Sequence, residues 1–289
     1  MAQTSSGVRG TQRKRRRNSS RDAAAEALPV VVRRACQPVP SPVYETYWRF
    51  AHERQEVFFR RVELQPPPWT ADLILRAHRF TNSYRASDRV SQYLIRNVIY
   101  AGGYDDIDDV LFRILVFKFF NRVDTWELLD RAVGGVRWST YSFDAYDDAL
   151  TRATALGQRI YSGAYIMPAC AALGNGRKHR GHLRLIESIV RDGLSRKLAD
   201  AMRLAEAFRL LRSYPMLGDF LAYQYAIDLN YSTLTKFSED EFVVPGPGAR
   251  DGLRKVFSDP GDYAEADLIR WVAERQEAEF DRLGLPFRT

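Results

Sequence analysis

Hydrophobic residues recur along most of this chain at three- and four-residue intervals, the spacing that gathers them on one face of a helix. Tyr47, Phe50, Ala51, Val57 and Phe58 keep that spacing from Tyr44 onward until the prolines at 66–68 end it, which predicts a first helix. The pattern predicts further helices over 70–79, capped by Thr70, and over 88–100, capped by Ser87 and ended by Gly102 and Gly103. The run 110–120 is apolar on nearly every side, and the acidic residues of 105–109 put negative charge where the helix dipole favours it. Helical spacing continues over 124–132, 144–156, 179–192, 194–212, 218–231, 249–257 and 263–283. Strand-like alternation is confined to a few residues around 136–141, so the expected fold class is all-α, with roughly ten helices.

Charge divides the chain unevenly. Residues 1–35 hold nine basic side chains against Asp22 and Glu26, which accounts for the whole net charge of +7 and leaves the remainder neutral. This arm has few large apolar residues and is expected to be disordered. The segment 36–42, CQPVPSP, reads as an extended linker, because each proline pushes its predecessor out of the helical region. The expected organisation is a basic arm over 1–35 and a single helical domain over 36–289. The arm suits sequence-independent, salt-sensitive attraction to nucleic-acid phosphate. A nuclear-import-like signal or an inert tail would carry the same charge run.

Several classes are excluded. Cys36 and Cys170 cannot build a disulfide framework, and no Cys/His cluster has zinc spacing, so neither metal nor cofactor is expected. The run 110–120 contains Arg113 and Lys118 and is too short to span a bilayer. The N-terminal segment lacks the apolar core of a signal peptide. The expectation is a soluble, cytoplasmic, nucleoid-associated protein, or a nuclear one in a eukaryote.

The stretch 214–231, YPMLGDFLAYQYAIDLNY, has the build of a helix-hairpin-helix turn. Gly218 would let the backbone approach a DNA phosphate, and the following helix's free N–H groups would bind it. The usual L-P-G-x-G has two glycines, and here Met216 replaces the first; an ordinary helix–turn–helix joint fits the same letters. About twenty residues beyond Gly218, where such DNA glycosylases carry a catalytic Asp, stand Glu239, Asp240 and Glu241. Asp228 lies on an otherwise apolar helix with Tyr223 and Gln224, so it either marks a site or braces a neighbouring helix. The GPG turn, with Gly246 and Gly248 ahead of Arg250 and Arg254, makes a candidate anion cradle, though such turns also serve only as turns. In FTNSYRASDR, Asn82, Tyr84, Arg85, Asp88 and Arg89 suit base and backbone contacts, or Arg85 and Asp88 simply pair beside the Ser87 cap. Lys178 and His179 of GNGRKHRGH are candidate phosphate or acid–base groups, and Asn121 either caps its helix or reaches a pocket.

Five blocks in order carry a family resemblance: FTNSYRASDRVSQYL (80–94), FKFFNRVDTWELL (117–129), KH (178–179), GDFLAYQYAIDLNYS (218–232) and EDEFVVPGPGARDGL (239–253). Over roughly residues 44–255 the chain resembles the alpha-glutamyl/putrescinyl thymine pyrophosphorylases. That group includes the helical domain of 5-hydroxymethyluracil DNA kinases and is similar to the helix-hairpin-helix DNA glycosylases. The resemblance implies an all-α, glycosylase-like fold whose partner is DNA bearing a modified pyrimidine. No GxxxxGK[ST] is present, so no kinase domain is expected beside it.

Two reactions fit the carboxylates. A DNA glycosylase would flip out a 5-hydroxymethyl-derived base, stabilise the sugar cation with Asp240, Asp228 or Glu239, and release the base. An amino-acid:DNA transferase would act on pyrophosphorylated 5-hydroxymethyluracil, holding the leaving pyrophosphate on basic groups and deprotonating an amine. Excision is the favoured expectation, since a transferase needs a partner kinase to make its substrate; defence against hypermodified phage DNA would then be its use. A non-catalytic modified-base reader is the third possibility.

Overall fold

The computed structural model describes residues 35–102, 106–163, 167–170, 173, 176–286 and 288. The expected basic arm lies outside them, Ala35 apart, as do Gly103, Asp105, Gly174 and Asn175. The described residues hold thirteen α-helices and one two-stranded sheet. The coarse expectation of an all-α protein is met. The finer likeness to a helix-hairpin-helix glycosylase is not shown.

The centre is α4 (Ile107–Phe120), buried on every side from Asp109 to its end. A helix apolar all round has no stable place except inside. It packs against a π-turn (Leu94–Ile99) that follows α3 (Arg89–Tyr93), and against α5 (Val123–Val133). Its other neighbours are α7 (Lys178–Arg191), α8 (Leu194–Ala199) and α10 (Asp219–Asn230), while α6 (Phe143–Ala155) joins α5 to α7. Asp106 caps α4 by accepting from the N–H groups of Asp108 and Asp109. Arg113, carried inside by this helix, donates to the carbonyls of Val98 (2.8 Å) and Val136 (2.9 Å), satisfying the end of the π-turn.

A second apolar cluster forms around α1 (Tyr44–Val62), α11 (Pro247–Val256), α12 (Glu265–Glu274) and α13 (Gln276–Arg282). Here β1 (Val39–Pro40) pairs antiparallel with β2 (Phe257–Asp259). The 36–42 segment is extended as expected, but it is docked rather than free.

Other boundaries differ from the expected ones. Asp72, not Thr70, caps α2 (Leu73–Ala77), and Thr70 instead accepts from the Asp72 N–H. Ser87 ends a 3-10 turn (Arg85–Ser87) and provides no cap. The 136–141 stretch forms no strand, because the Asp109 carboxylate takes the N–H groups of Trp138 and Ser139. The expected helix 194–212 is two, α8 and α9 (Leu204–Arg212). Glu206 accepts from the Met202 N–H and Glu241 from the Leu204 N–H, so side chains restart the helix without any glycine or proline. The 263–283 helix likewise divides at Arg275 into α12 and α13.

Between α9 and α10, Met216 adopts φ 73°, the left-handed conformation that favours glycine. It stands where the two-glycine pattern has its first Gly. Among the described residues no helix is long and apolar enough to cross a membrane, and no group of three His, Cys, Asp or Glu could hold a metal.

Candidate anion-binding cleft

Three elements converge on Asp228. The helix α10 buries all but 1% of its side chain, because the neighbouring positions are apolar and face the core on both sides. From α4 comes Lys118, 5% exposed, with its Nζ 2.8 Å from the Asp228 carboxylate. From the 80–88 loop comes Arg85, 24% exposed, whose Nη2 lies 2.8 Å from both carboxylate oxygens. Gln224, one turn earlier on α10, accepts from Arg85 through its side-chain and backbone oxygens.

The loop is held in shape before it offers Arg85. Arg54 of α1 donates to the carbonyls of Thr81 (2.9 Å) and Asn82 (3.0 Å). The Asn82 N–H donates to Asp88, and its amide donates to the Ser87 carbonyl. Asp88 thus serves to hold the loop.

At the end of α4, Asn121 does both things asked of it. Its backbone closes the helix at φ 48°, a conformation asparagine tolerates, and its Oδ1 accepts from Lys118 at 3.1 Å. Burial pushes the Lys118 pKa down, the nearby Arg85 lowers it further, and Asp228 opposes both.

Arg85, Lys118 and Asn121 line the floor of a cleft of about 710 Å³, with Arg61, Arg79 and Arg89 exposed on its rim. Phe58 and Phe80 add aromatic surface to its wall. The cleft therefore combines apolar flanks, a rim of guanidinium groups, and a buried floor where two basic side chains share one carboxylate. Such a floor can take an anion with little reorganisation.

Glu239, exposed in the loop after α10, is close enough to Arg85, Tyr223 and Tyr231 for their charges to be coupled. Partial loss of water raises its pKa, with Asp228 and Asp240 adding to the rise and Arg85 and Asn230 opposing it. The same crowding pushes the Tyr223 hydroxyl up to about 12. Five sequence candidates thus meet here: Arg85, Asn121, Gln224, Asp228 and Glu239, with Asn82 and Asp88 shaping the loop.

The others are engaged in contacts of their own. Asp240 is exposed and lines a separate depression with Arg270 and Glu277. Tyr84 donates to Gln276 at 3.0 Å, and Tyr223 donates to the Phe242 carbonyl. Lys178 sits 4.3 Å from the Tyr161 ring centroid, and His179 binds Asp147 at 3.0 Å in a closed cluster. Gly218 precedes α10 with open space beside it, so no close approach within this chain demands a glycine there. Gly248 is equally open, whereas a Cβ at Gly246 would meet the Phe220 ring at 2.9 Å. Arg250 and Arg254 face Glu265 at 3.2 and 3.8 Å rather than an empty cradle. Lys118 is the functional candidate that sequence reasoning passed over: a charge inside an apolar helix, noticed only as an obstacle to membrane spanning.

Residues 41–289 match the family model described as 5-hmdU DNA kinase, helical domain. A 5-hmdU DNA kinase of Bacillus phage SP10 is 25% identical over 267 residues, 85% of this chain and 41% of that protein. The chain thus spans less than half the length of this curated relative. No solved structure matches it.

Proposed function

The chain belongs to the family of the 5-hmdU DNA kinase helical domain, and we propose that it serves the further modification of 5-hydroxymethyluracil in DNA by amine transfer. This corrects the expectation of a base-excising glycosylase. The family and its phage relative are named for a kinase acting on that base, a chemistry that adds to the base and leaves the glycosidic bond in place.

In the proposed reaction a 5-hydroxymethyluracil already carrying a pyrophosphate is turned out of the stack into the cleft, whose volume suits a nucleotide. The lone pair of an amine attacks the exocyclic methylene carbon. A C–N bond forms, the C–O bond breaks, and pyrophosphate leaves with the electron pair. Arg85 and Lys118 stabilise that departing charge, and Asp228 holds both in place. Glu239, with its raised pKa, takes the proton released from the nitrogen. The basic residues of 1–35 add attraction to DNA phosphate.

The observation that carries this reading is the pair of basic side chains sharing Asp228 on the floor of an arginine-rimmed cleft. The test supplies DNA containing thymine, 5-hydroxymethyluracil, or its phosphorylated or pyrophosphorylated form, with and without a primary amine. Pyrophosphate release and nucleoside mass are measured. Product is expected only with the pyrophosphorylated base and the amine together. Its rate is expected to fall as pH drops through the Glu239 pKa, a limb that Glu239→Gln removes. Tight binding without release for every amine tried would replace the transferase with a non-catalytic reader.

A further inference from the structure

Asn121 and Asn82 both line the cleft, and each is pinned by one end of its amide. Asn121 is only 5% exposed. Its Oδ1 accepts from the Lys118 Nζ at 3.1 Å, and an ammonium group only donates, so the oxygen must face the lysine. The Nδ2 group is thereby turned away from Lys118, and among the described residues nothing accepts from it. An amide donor at this depth without a partner is uncommon, because it has given up bonds to water. It is not sealed in, so it is open to whatever enters the cleft.

Asn82 presents the opposite polarity. Its Nδ2 donates to the Ser87 carbonyl at 2.7 Å, which only an N–H can do, so its Oδ1 is the end left over. Its backbone N–H and carbonyl are held by Asp88 and Arg54, at 2.9 and 3.0 Å. The cleft thus offers a donor and an acceptor whose senses are set before anything binds.

We infer, resting on the reading of this cleft as the site of the base, that these two amides select uracil-type over cytosine-type rings. On a 5-substituted uracil, O4 stands between the 5-substituent and N3–H. Lys118 and Arg85 receive the group carried on that substituent, and Asn121 adjoins Lys118. The Asn121 donor therefore meets O4, and the Asn82 acceptor meets N3–H. Cytosine in the same pose reverses both contacts. Its amino group confronts the Asn121 N–H, and its bare N3 confronts the Asn82 oxygen. A site built around such bonds rejects the wrong ring because its own polar groups are then left unpaired.

Single-stranded oligonucleotides carrying one 5-hydroxymethyluracil or one 5-hydroxymethylcytosine are competed for the full-length protein at fixed salt. Without a complementary strand, the unequal pairing of the two bases plays no part. The ratio of the two dissociation constants is read, because sequence-independent attraction cancels in it. The parent protein is expected to favour 5-hydroxymethyluracil by about tenfold or more. Asn121→Asp tolerates the φ of 48° and keeps an oxygen for Lys118, but turns the donor into an acceptor. It is expected to reverse the preference. Asn121→Gly, which also accepts that backbone angle, is expected to bring the ratio close to unity. Melting temperatures show that both variants keep the fold. Equal binding of the two bases by the parent, or an unchanged ratio in either folded variant, would overturn the assignment. None of these measurements needs amine transfer: a protein that shows the reversal yet never releases pyrophosphate loses the transfer reaction and keeps this selectivity.

Discussion

Asp147 and Asp228 are both buried carboxylates held between two basic side chains from other parts of the chain. Asp147 of α6 accepts from His179 at 3.0 Å and Arg180 at 2.8 Å. Asp228 accepts from Lys118 and Arg85, each at 2.8 Å. The difference lies in what the basic groups can do next. Burial lowers the His179 pKa, so the imidazole settles its place by remaining neutral, and Arg180 alone balances Asp147. Arg180 also reaches solvent, being 34% exposed. At Asp228 both basic partners border the cleft. The Asp147 cluster holds α6 to α7, whereas the Asp228 cluster also opens onto a cleft that an anion can enter.

The largest expected effect separates the two clusters directly. Asp228→Ala removes the carboxylate that the buried Lys118 shares with Arg85 and is expected to cost about 3–5 kcal/mol in urea unfolding. Asp147→Ala leaves a neutral imidazole and an arginine that can turn to water, at about 1–2 kcal/mol. Equal losses would break the distinction.

His182, three residues beyond His179 on α7, gives the second effect. Tyr161 donates to its Nδ1 and its Nε2–H donates to the Pro168 carbonyl, both at 2.8 Å, and burial lowers its pKa to about 4 from 6.5. The unfolded chain therefore binds a proton that the folded one refuses. Stability from this group is complete above pH 6.5 and is lost as pH falls toward 4, by about 3 kcal/mol. His182→Gln is expected to flatten that part of the pH–stability curve. An unchanged curve would place the acid sensitivity elsewhere.

The smallest effect reports on the cleft itself. Lys118 and Arg85 border the cleft, so pyrophosphate is expected to bind there. Calorimetry measures that binding. Lys118→Met is expected to weaken it about tenfold. Unchanged binding by the variant would move the anion site away from Asp228.

Asp228 was legible in the sequence because a carboxylate in an apolar helix demands an explanation. The same reasoning applies to Lys118 and Arg113 in 110–120, and sequence alone cannot separate them. Arg113 spends its guanidinium on backbone carbonyls, and Lys118 spends its ammonium on Asp228 and Asn121. That distinction depends on which helix crosses α4 at each level. The division of 194–212 was hidden for a similar reason: its cap, Glu241, comes from a distant loop. Asp240 was reached by counting from Gly218, and a count along the chain does not register that the charge of Arg85 acts on its neighbour Glu239 while Asp240 lines a separate depression.

The all-round burial of α4 also orders events in time. Its lysine enters the interior next to a carboxylate far along the chain, and Arg85 reaches that carboxylate across 143 residues. Local contacts can assemble α4 with its sequence neighbours early, but loop closure of that length is slow. Until α10 docks, Lys118 has no counter-charge and α4 keeps one wetted side. The cleft floor is complete only once α10 has docked, so a chain short of that step has no anion site to offer.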